Sequence, residues 1–121
     1  MTANRADNYL GHMLDAIGRA MTYAEPFTTP GAFAQNQQAV DAAIRAIEIL
    51  GEAANRLARS HPALLDAHPE VPWKEMRTMR NKLIHDYFEV DPLVVWQTVK
   101  ADLPLLRAKL LNISQRLEPE S

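Results

Sequence analysis

The chain has 121 residues, 47% of them hydrophobic, contains no cysteine and carries a formal net charge of −2. These values are typical of one globular domain with its own core, and they exclude a disordered chain, a disulfide scaffold and a thiolate metal site. A slightly acidic chain has no general attraction to nucleic acid, so any RNA contact must come from a local basic patch. The polar residues 1–7 carry no signal core, and the longest unbroken apolar run, 93–96, is far too short to span a bilayer. We therefore expect a cytoplasmic protein without membrane contact.

Two long helices are predicted in the first half of the chain. Residues 5–24 carry apolar residues at three- and four-residue spacing, and prolines within 25–30 then forbid continuation of the helix. A second helix is predicted over 31–59, with Gly51 inside it at a cost of about 1 kcal/mol relative to alanine. Close approach of a neighbouring helix would explain that glycine, and so would a local kink.

The second half of the chain is predicted to contain a connector followed by two further helices. The connector covers 61–72, with one short turn at 63–67, and proline at position 72 suits the start of a helix over 72–86. The sequence Asp-Pro at 91–92 starts a fourth helix that continues to 117, and Pro104 should kink it. The predicted fold class is all-α, an antiparallel up-and-down four-helix bundle with a short extra turn before the third main helix. One domain should span 1–121, with 1–5 and 117–121 as flexible ends.

The third predicted helix carries a motif suited to phosphate chemistry, Arg-Asn-Lys-Leu-Ile-His-Asp-Tyr at 80–87. The guanidinium of Arg80 matches phosphate oxygens, and His85 can transfer protons near neutral pH. Tyr87 can donate a hydrogen bond or accept a transferred group. Four basic residues lie between 74 and 82 with one acidic residue opposing them, which indicates a local site for a polyanion.

Helical spacing places Arg77, Asn81 and His85 in one polar column. In this column Asn81 can support the site by hydrogen-bonding His85 and fixing its tautomer. The alternative is a solvated basic face with an incidental histidine. Tyr87 lies about 200° around a helix from His85, so it joins the cluster only if the helix ends near Asp86. Otherwise it belongs to the core.

A second polar stripe lies on the predicted helix 31–59. Its members are Arg45, Glu48, Glu52 and Asn55. We interpret them as surface residues that form salt bridges, and the alternative is that they line the cleft or a subunit interface. The Glu-x-x-His pairs of di-iron bundles are absent, so we expect no metal and no cofactor.

We assign structural roles, rather than catalytic ones, to the histidines and tryptophans outside the motif. His12 is interpreted as a boundary residue, and His61 and His68, beside prolines in the connector, should face water. Trp73 and Trp96 should anchor the core.

The motif Arg-Asn-x-x-x-His-x-Tyr resembles the HEPN superfamily, and most of all the HepT group of toxins. The likeness includes Val-Pro-Trp at 71–73, Ile-Leu-Gly-Glu-Ala at 49–53 and the segment 90–96, and it runs from about residue 8 to residue 110. It implies a homodimer with the motifs at its interface and a minimal nucleotidyltransferase as antitoxin. It also implies that Tyr87 accepts AMP units from that partner.

The predicted activity is metal-independent endoribonuclease cleavage through attack by the RNA 2′-hydroxyl. Arg80 and His85 would be catalytic, with Asn81 and Arg77 in support. One copy supplies a single good proton carrier whereas the reaction uses two, which favours a two-fold dimer. The alternative from another class is a non-catalytic dimer that binds a nucleotide or a partner enzyme. A purely structural bundle would leave the basic motif unexplained.

Overall fold

The computed structural model of the chain describes residues 5–85 and 90–117, including all of their side chains except those at 82–85. This part of the chain is helical and contains no strand, so the predicted all-α, HEPN-like bundle is confirmed. The up-and-down order of its main helices stays a prediction. The helices are α1 (Arg5–Ala24), α2 (Pro30–Ala34), α3 (Gln37–Ser60), α4 (Pro62–Ala67), α5 (Trp73–His85), α6 (Pro92–Gln97) and α7 (Leu103–Arg116).

Helices α1 and α3 form the centre of the core, and α1 has the predicted bounds. Their facing surfaces combine large apolar residues with many alanines, which lets two long helices lie close together. The largest fully buried side chains come from these two helices and from α2, α7 and the turn before α7: Leu10, Met13, Ile17, Phe33, Val40, Leu57, Val99, Leu110 and Ile113.

The prediction of one helix over 31–59 is wrong, because the structure divides this range into α2 and α3. Asn36 stands between them in an extended conformation, and its side-chain oxygen accepts a hydrogen bond from the backbone N–H of Ala39 at 2.9 Å. This is the N-cap that starts α3. An asparagine side chain stabilises a helix more at the N-cap than in the helix interior, and the spacing of apolar residues does not reveal this preference.

The connector contains the predicted short turn, which is the helix α4. Trp73 is buried as expected, and its Nε1–H donates to the backbone oxygen of His68 at 3.0 Å. Lys109 of α7 donates to the backbone oxygen of Glu70 at 2.9 Å, which ties the connector to α7. A backbone hydrogen bond and then a bond to His68 lower the pKa of the Glu70 carboxyl. Together these bonds fix where α5 begins.

The predicted fourth helix starts as expected, with the Asp91 carboxylate accepting from the backbone N–H of Leu93 at 2.9 Å. The interruption near Pro104 is a π-helical turn, Thr98–Asp102, in which the N–H of Leu103 reaches back five residues to the oxygen of Thr98. Proline has no N–H to donate, so a change of hydrogen-bond register beside it is physically reasonable. Trp96 is half-buried and packs on Phe33 with ring centroids 5.4 Å apart.

None of the described helices is long and apolar enough to cross a membrane. Of the ends predicted to be flexible, Arg5 begins α1 and Leu117 follows α7. Residues 1–4 and 118–121 lie outside the described part of the chain.

Candidate functional site

Helix α5 crosses α3 at Gly51, and the contact is too close for any larger residue. A Cβ built on Gly51 would overlap the Cβ of Arg80 and would lie 2.8 Å from its Cγ and 3.0 Å from the backbone oxygen of Met76. Of the two explanations that the sequence left open for this glycine, the structure shows the close approach of a neighbouring helix. The crossing brings the base of the Arg80 side chain directly onto α3.

The guanidinium of Arg80 is held by carboxylate and amide oxygens. Its Nη2 lies 2.8 Å from Oε2 of Glu52, and its Nη1 donates to Oδ1 of Asn81 at 3.1 Å. The two ion-paired side chains are only 29% and 35% exposed, so this pair is screened less than one at an open surface. The described contacts occupy two of the five N–H donors that a guanidinium carries. Arg80 is therefore oriented and still has donors for an anion.

One turn earlier, Arg77 makes a second polar contact between the same helices. Its Nε–H donates to Oδ1 of Asn55 on α3 at 2.6 Å. Arg77 and Arg80 therefore both reach across to α3, to residues within about one turn after Gly51. This pair of contacts fixes the rotation of α5 about its axis as well as its distance from α3.

The polar stripe on α3 makes two kinds of contact. Arg45 is exposed and pairs with the half-buried Glu48 at 3.6 Å between nitrogen and oxygen. Glu52 and Asn55 instead hold the arginines of α5, and lining of a cleft or of a subunit interface by this stripe stays a prediction. The sequence signal nearest to them is Gly51, because close approach of another helix is one of the reasons for a glycine inside a helix, and polar residues beside such a glycine can face that helix.

The remaining motif residues are only partly described. His85 is the last described residue of α5, and its side chain, like the whole of Tyr87, lies outside the described residues. Asn81 bonds to Arg80, whereas the predicted bond from Asn81 to His85 involves a side chain that is not described. The structure therefore brings together Arg77, Arg80 and Asn81 with α3, and it does not test the roles assigned to the motif.

The histidines outside the motif have specific surroundings. His12 is exposed and lines a groove that Arg80 also lines. His61 and His68 are half-buried rather than turned fully to water, since the His61 ring lies 2.8 Å from the hydroxyl of Ser60 and the His68 ring lies 3.0 Å from a carboxylate oxygen of Glu70.

The family model described as "Ribonuclease HepT-like" matches residues 13–113, which include the whole α3–α5 crossing. The chain belongs to the HepT-like ribonuclease family. The HEPN and HepT resemblance seen in the sequence is confirmed by this match and by the relatives that follow.

Three relatives show how far the likeness of this HepT-like chain extends. It is 43% identical over 99 residues to "Probable ribonuclease HepT" of Thermococcus cleftensis, covering 79% of this chain and 87% of the relative. A Methanocaldococcus jannaschii protein that is named as an RNase is 37% identical, with 90% of this chain and 87% of the relative covered. A second protein of that organism, named as a gamma-glutamylcyclotransferase and RNase, is 36% identical over 91% of this chain, which spans 48% of its length. No solved structure matches the chain significantly.

Proposed function

We propose that this HepT-like protein is a cytoplasmic, metal-independent endoribonuclease and the toxin of a toxin–antitoxin pair. Arg80 and His85 are its catalytic residues, and Asn81 and Arg77 support them. Family membership supplies the reaction class, and the motif on α5 supplies groups of the right chemistry.

The observation that carries the proposal is the oriented guanidinium of Arg80. Glu52 at 2.8 Å and Asn81 at 3.1 Å hold it, five residues before His85 on the same helix. Five residues of α-helix rise by about 7.5 Å, so a phosphate bound between these two positions can be within reach of both long side chains. A cation held in advance stabilises developing charge without a reorganisation cost at the moment of reaction.

The reaction needs two proton transfers and one stabilised anion. A base removes the proton from the 2′-hydroxyl, and the 2′-oxygen then forms a bond to the adjacent phosphorus. The bond from phosphorus to the 5′-oxygen breaks, an acid protonates the departing oxygen, and a 2′,3′-cyclic phosphate remains. Arg80 stabilises the added negative charge on the phosphate, and His85 from each of two subunits serves as base and as acid. DNA lacks the attacking hydroxyl and is not a substrate.

Loss of His85 should abolish most of this activity. We expect purified protein to cut RNA in excess EDTA and to leave cyclic phosphate ends, and His85→Ala to cut about 10²-fold more slowly or worse, since general acid–base catalysis contributes that much. The matched control is His61→Ala, which removes an imidazole outside the site. Equal cutting by His85→Ala and the parent, or loss of cutting in EDTA, contradicts the mechanism.

A homodimer supplies the second histidine. Light scattering should report about twice the 13.6 kDa mass of one chain. Hybrid dimers of one parent chain and one His85→Ala chain should cut far less than the parent dimer, because only one intact His85 then remains for two proton transfers. A fully active monomer is incompatible with a shared cleft.

Tyr87 is the proposed point of control by a minimal nucleotidyltransferase antitoxin. AMP units on this tyrosine would place anionic groups beside Arg80 and His85 and cancel the positive charge that RNA needs. Co-expression with the partner should add the mass of one or more AMP units at Tyr87 and silence the nuclease, whereas Tyr87→Phe should escape silencing. Silencing without any added mass at Tyr87 excludes this form of control.

A further inference from the structure

A groove of about 610 Å³ between α1 and α3 has Arg80 of α5 among its lining residues. Its volume lies within the range of roughly 300–1,000 Å³ typical of ligand clefts. Two aromatic side chains and four arginines stand along it: Tyr9, His12, Arg19, Arg45, Arg56 and Arg80. The groove therefore joins the candidate catalytic arginine to a surface that has no role in the reaction itself.

The two aromatic residues occupy the α1 wall. Tyr9 and His12 are three residues apart, so they share one face of the helix about one turn from each other. Tyr9 is half-buried and packs against the core, which fixes the position of its ring, whereas His12 is exposed. Flat side chains presented in this way are suited to stacking with unpaired bases.

The arginines of the groove are paired with carboxylates. Arg19 pairs with Asp15 at 3.0 Å, Arg56 pairs with Glu52 at 3.2 Å, and Arg45, which is 71% exposed, lies 3.6 Å from Oε2 of Glu48. Exposed pairs of this kind add little to stability, so stability does not account for the arginines. Each guanidinium keeps donors beyond those its carboxylate accepts, and these can bind phosphate oxygens.

Aromatic faces beside spaced cations favour a single strand over a duplex, because a duplex hides its bases and offers only phosphates and sugars. The same two features favour RNA over a second protein chain, because RNA has both bases that stack on aromatic rings and phosphates that accept hydrogen bonds from arginines. The carboxylates on the walls keep the net charge small. Affinity should therefore rest on stacking as much as on charge, and its salt dependence should be shallow.

We propose that the α1–α3 groove binds single-stranded RNA on one side of the scissile phosphate and leads it to Arg80, with Tyr9 and His12 stacking on bases and Arg45 binding the backbone. This inference rests on the proposed ribonuclease function and adds to it the form of the substrate and the path that the substrate takes.

The test is binding of a single-stranded 2′-O-methyl RNA, which lacks the attacking hydroxyl and cannot be cut, measured by fluorescence anisotropy on the full chain. The double variant Tyr9→Leu/Arg45→Ala should bind about tenfold more weakly or worse, as expected for the loss of one stacked base and one phosphate contact. Its salt slope should fall by roughly 0.7 for the lost cation. The matched control Tyr23→Leu/Arg107→Ala removes the same groups from surfaces outside the groove and should bind as the parent does.

The outcomes separate the groove from the nuclease. If the parent does not cut unmodified RNA but the double variant still loses affinity for the 2′-O-methyl RNA, the groove proposal is supported and the proposed cleavage reaction is contradicted. If the double variant binds as tightly as the parent while RNA is cut, the groove proposal is overturned and the nuclease stands. Equal affinity for duplex and single strand, or a change of oligomer mass in the double variant instead of a loss of affinity, also overturns it. The substituted residues are half-buried or exposed, so thermal melts should show that the variant folds.

Discussion

Gly18 and Gly51 both lie inside long helices, where each costs about 1 kcal/mol relative to alanine, but their surroundings are opposite. Apart from the nearby backbone of α1 itself, no heavy atom of the described residues lies within 4 Å of a Cβ built on Gly18. At Gly51 the same atom would overlap the side chain of Arg80. At Gly51 a close contact between helices offsets the cost in helix propensity, whereas at Gly18 no described contact offsets it.

The comparison shows where two helices of the molecule are packed most closely. The face of α1 at Gly18, which lines a cleft beside Arg107 of α7, has room for a larger residue. The face of α3 at Gly51 accepts none, and it is the face where Glu52 and Asn55 hold the arginines of α5. A helix crossing this close positions Arg80 more rigidly than a crossing spaced by larger side chains would, and rigid placement is what electrostatic catalysis requires.

The largest effect should follow Gly51→Ala. The new methyl group meets the Cβ of Arg80 and the backbone oxygen of Met76, and neither atom is the free end of a flexible side chain. Helix α5 must therefore shift, and overpacking of this kind costs about 1–3 kcal/mol. We expect a lower free energy of unfolding in urea and a ribonuclease activity that falls further than stability alone explains, because Arg80 moves away from Glu52.

Two results would contradict this expectation. Unchanged stability would mean that α5 does not lie against α3 as described, and full activity in a destabilised variant would mean that the position of Arg80 is not critical. Gly51→Ser adds one atom more than alanine and should be worse in both measurements.

The sequence predicts the bounds of several helices better than it predicts the side-chain contacts at the α3–α5 crossing. The bounds of α1 follow from the spacing of its apolar residues, and the start of α6 follows from Asp91-Pro92. The roles of Glu52 and Asn55 could not be read from spacing, because a polar stripe on a helix looks the same whether it faces water or the arginines of a helix that comes later in the chain. The break at Asn36 was missed because a local side-chain cap outweighs the periodicity on both sides of it.

Glu52→Gln should have a smaller effect and should separate positioning from packing. Glutamine has nearly the same shape, but a neutral acceptor holds a guanidinium about half as strongly as a carboxylate. We expect near-parental stability and a kcat about tenfold lower, which corresponds to about 1.4 kcal/mol of lost transition-state stabilisation. KM for RNA should not rise, because removing a negative charge favours phosphate binding.

The control for this prediction is Glu75→Gln, which removes an exposed carboxylate from α5 itself. It changes the net charge equally and should leave kcat unchanged. A parental kcat in Glu52→Gln would show that Asn81 alone is enough to orient Arg80.

Gly18→Ala should have the smallest effect, and it has the opposite sign. Apart from the nearby backbone of α1 itself, the added methyl group meets no described atom within 4 Å, so the substitution brings only the gain in helix propensity and the reduced freedom of the unfolded chain. Together these should raise the free energy of unfolding by about 0.5–1 kcal/mol and Tm by a few degrees, as measured by circular dichroism. Because Gly18 lies outside the groove and the crossing, cutting of RNA should match the parent. A variant less stable than the parent would show that the space beside Gly18 is not open, and Gly18 would then resemble Gly51 in being a point of close contact.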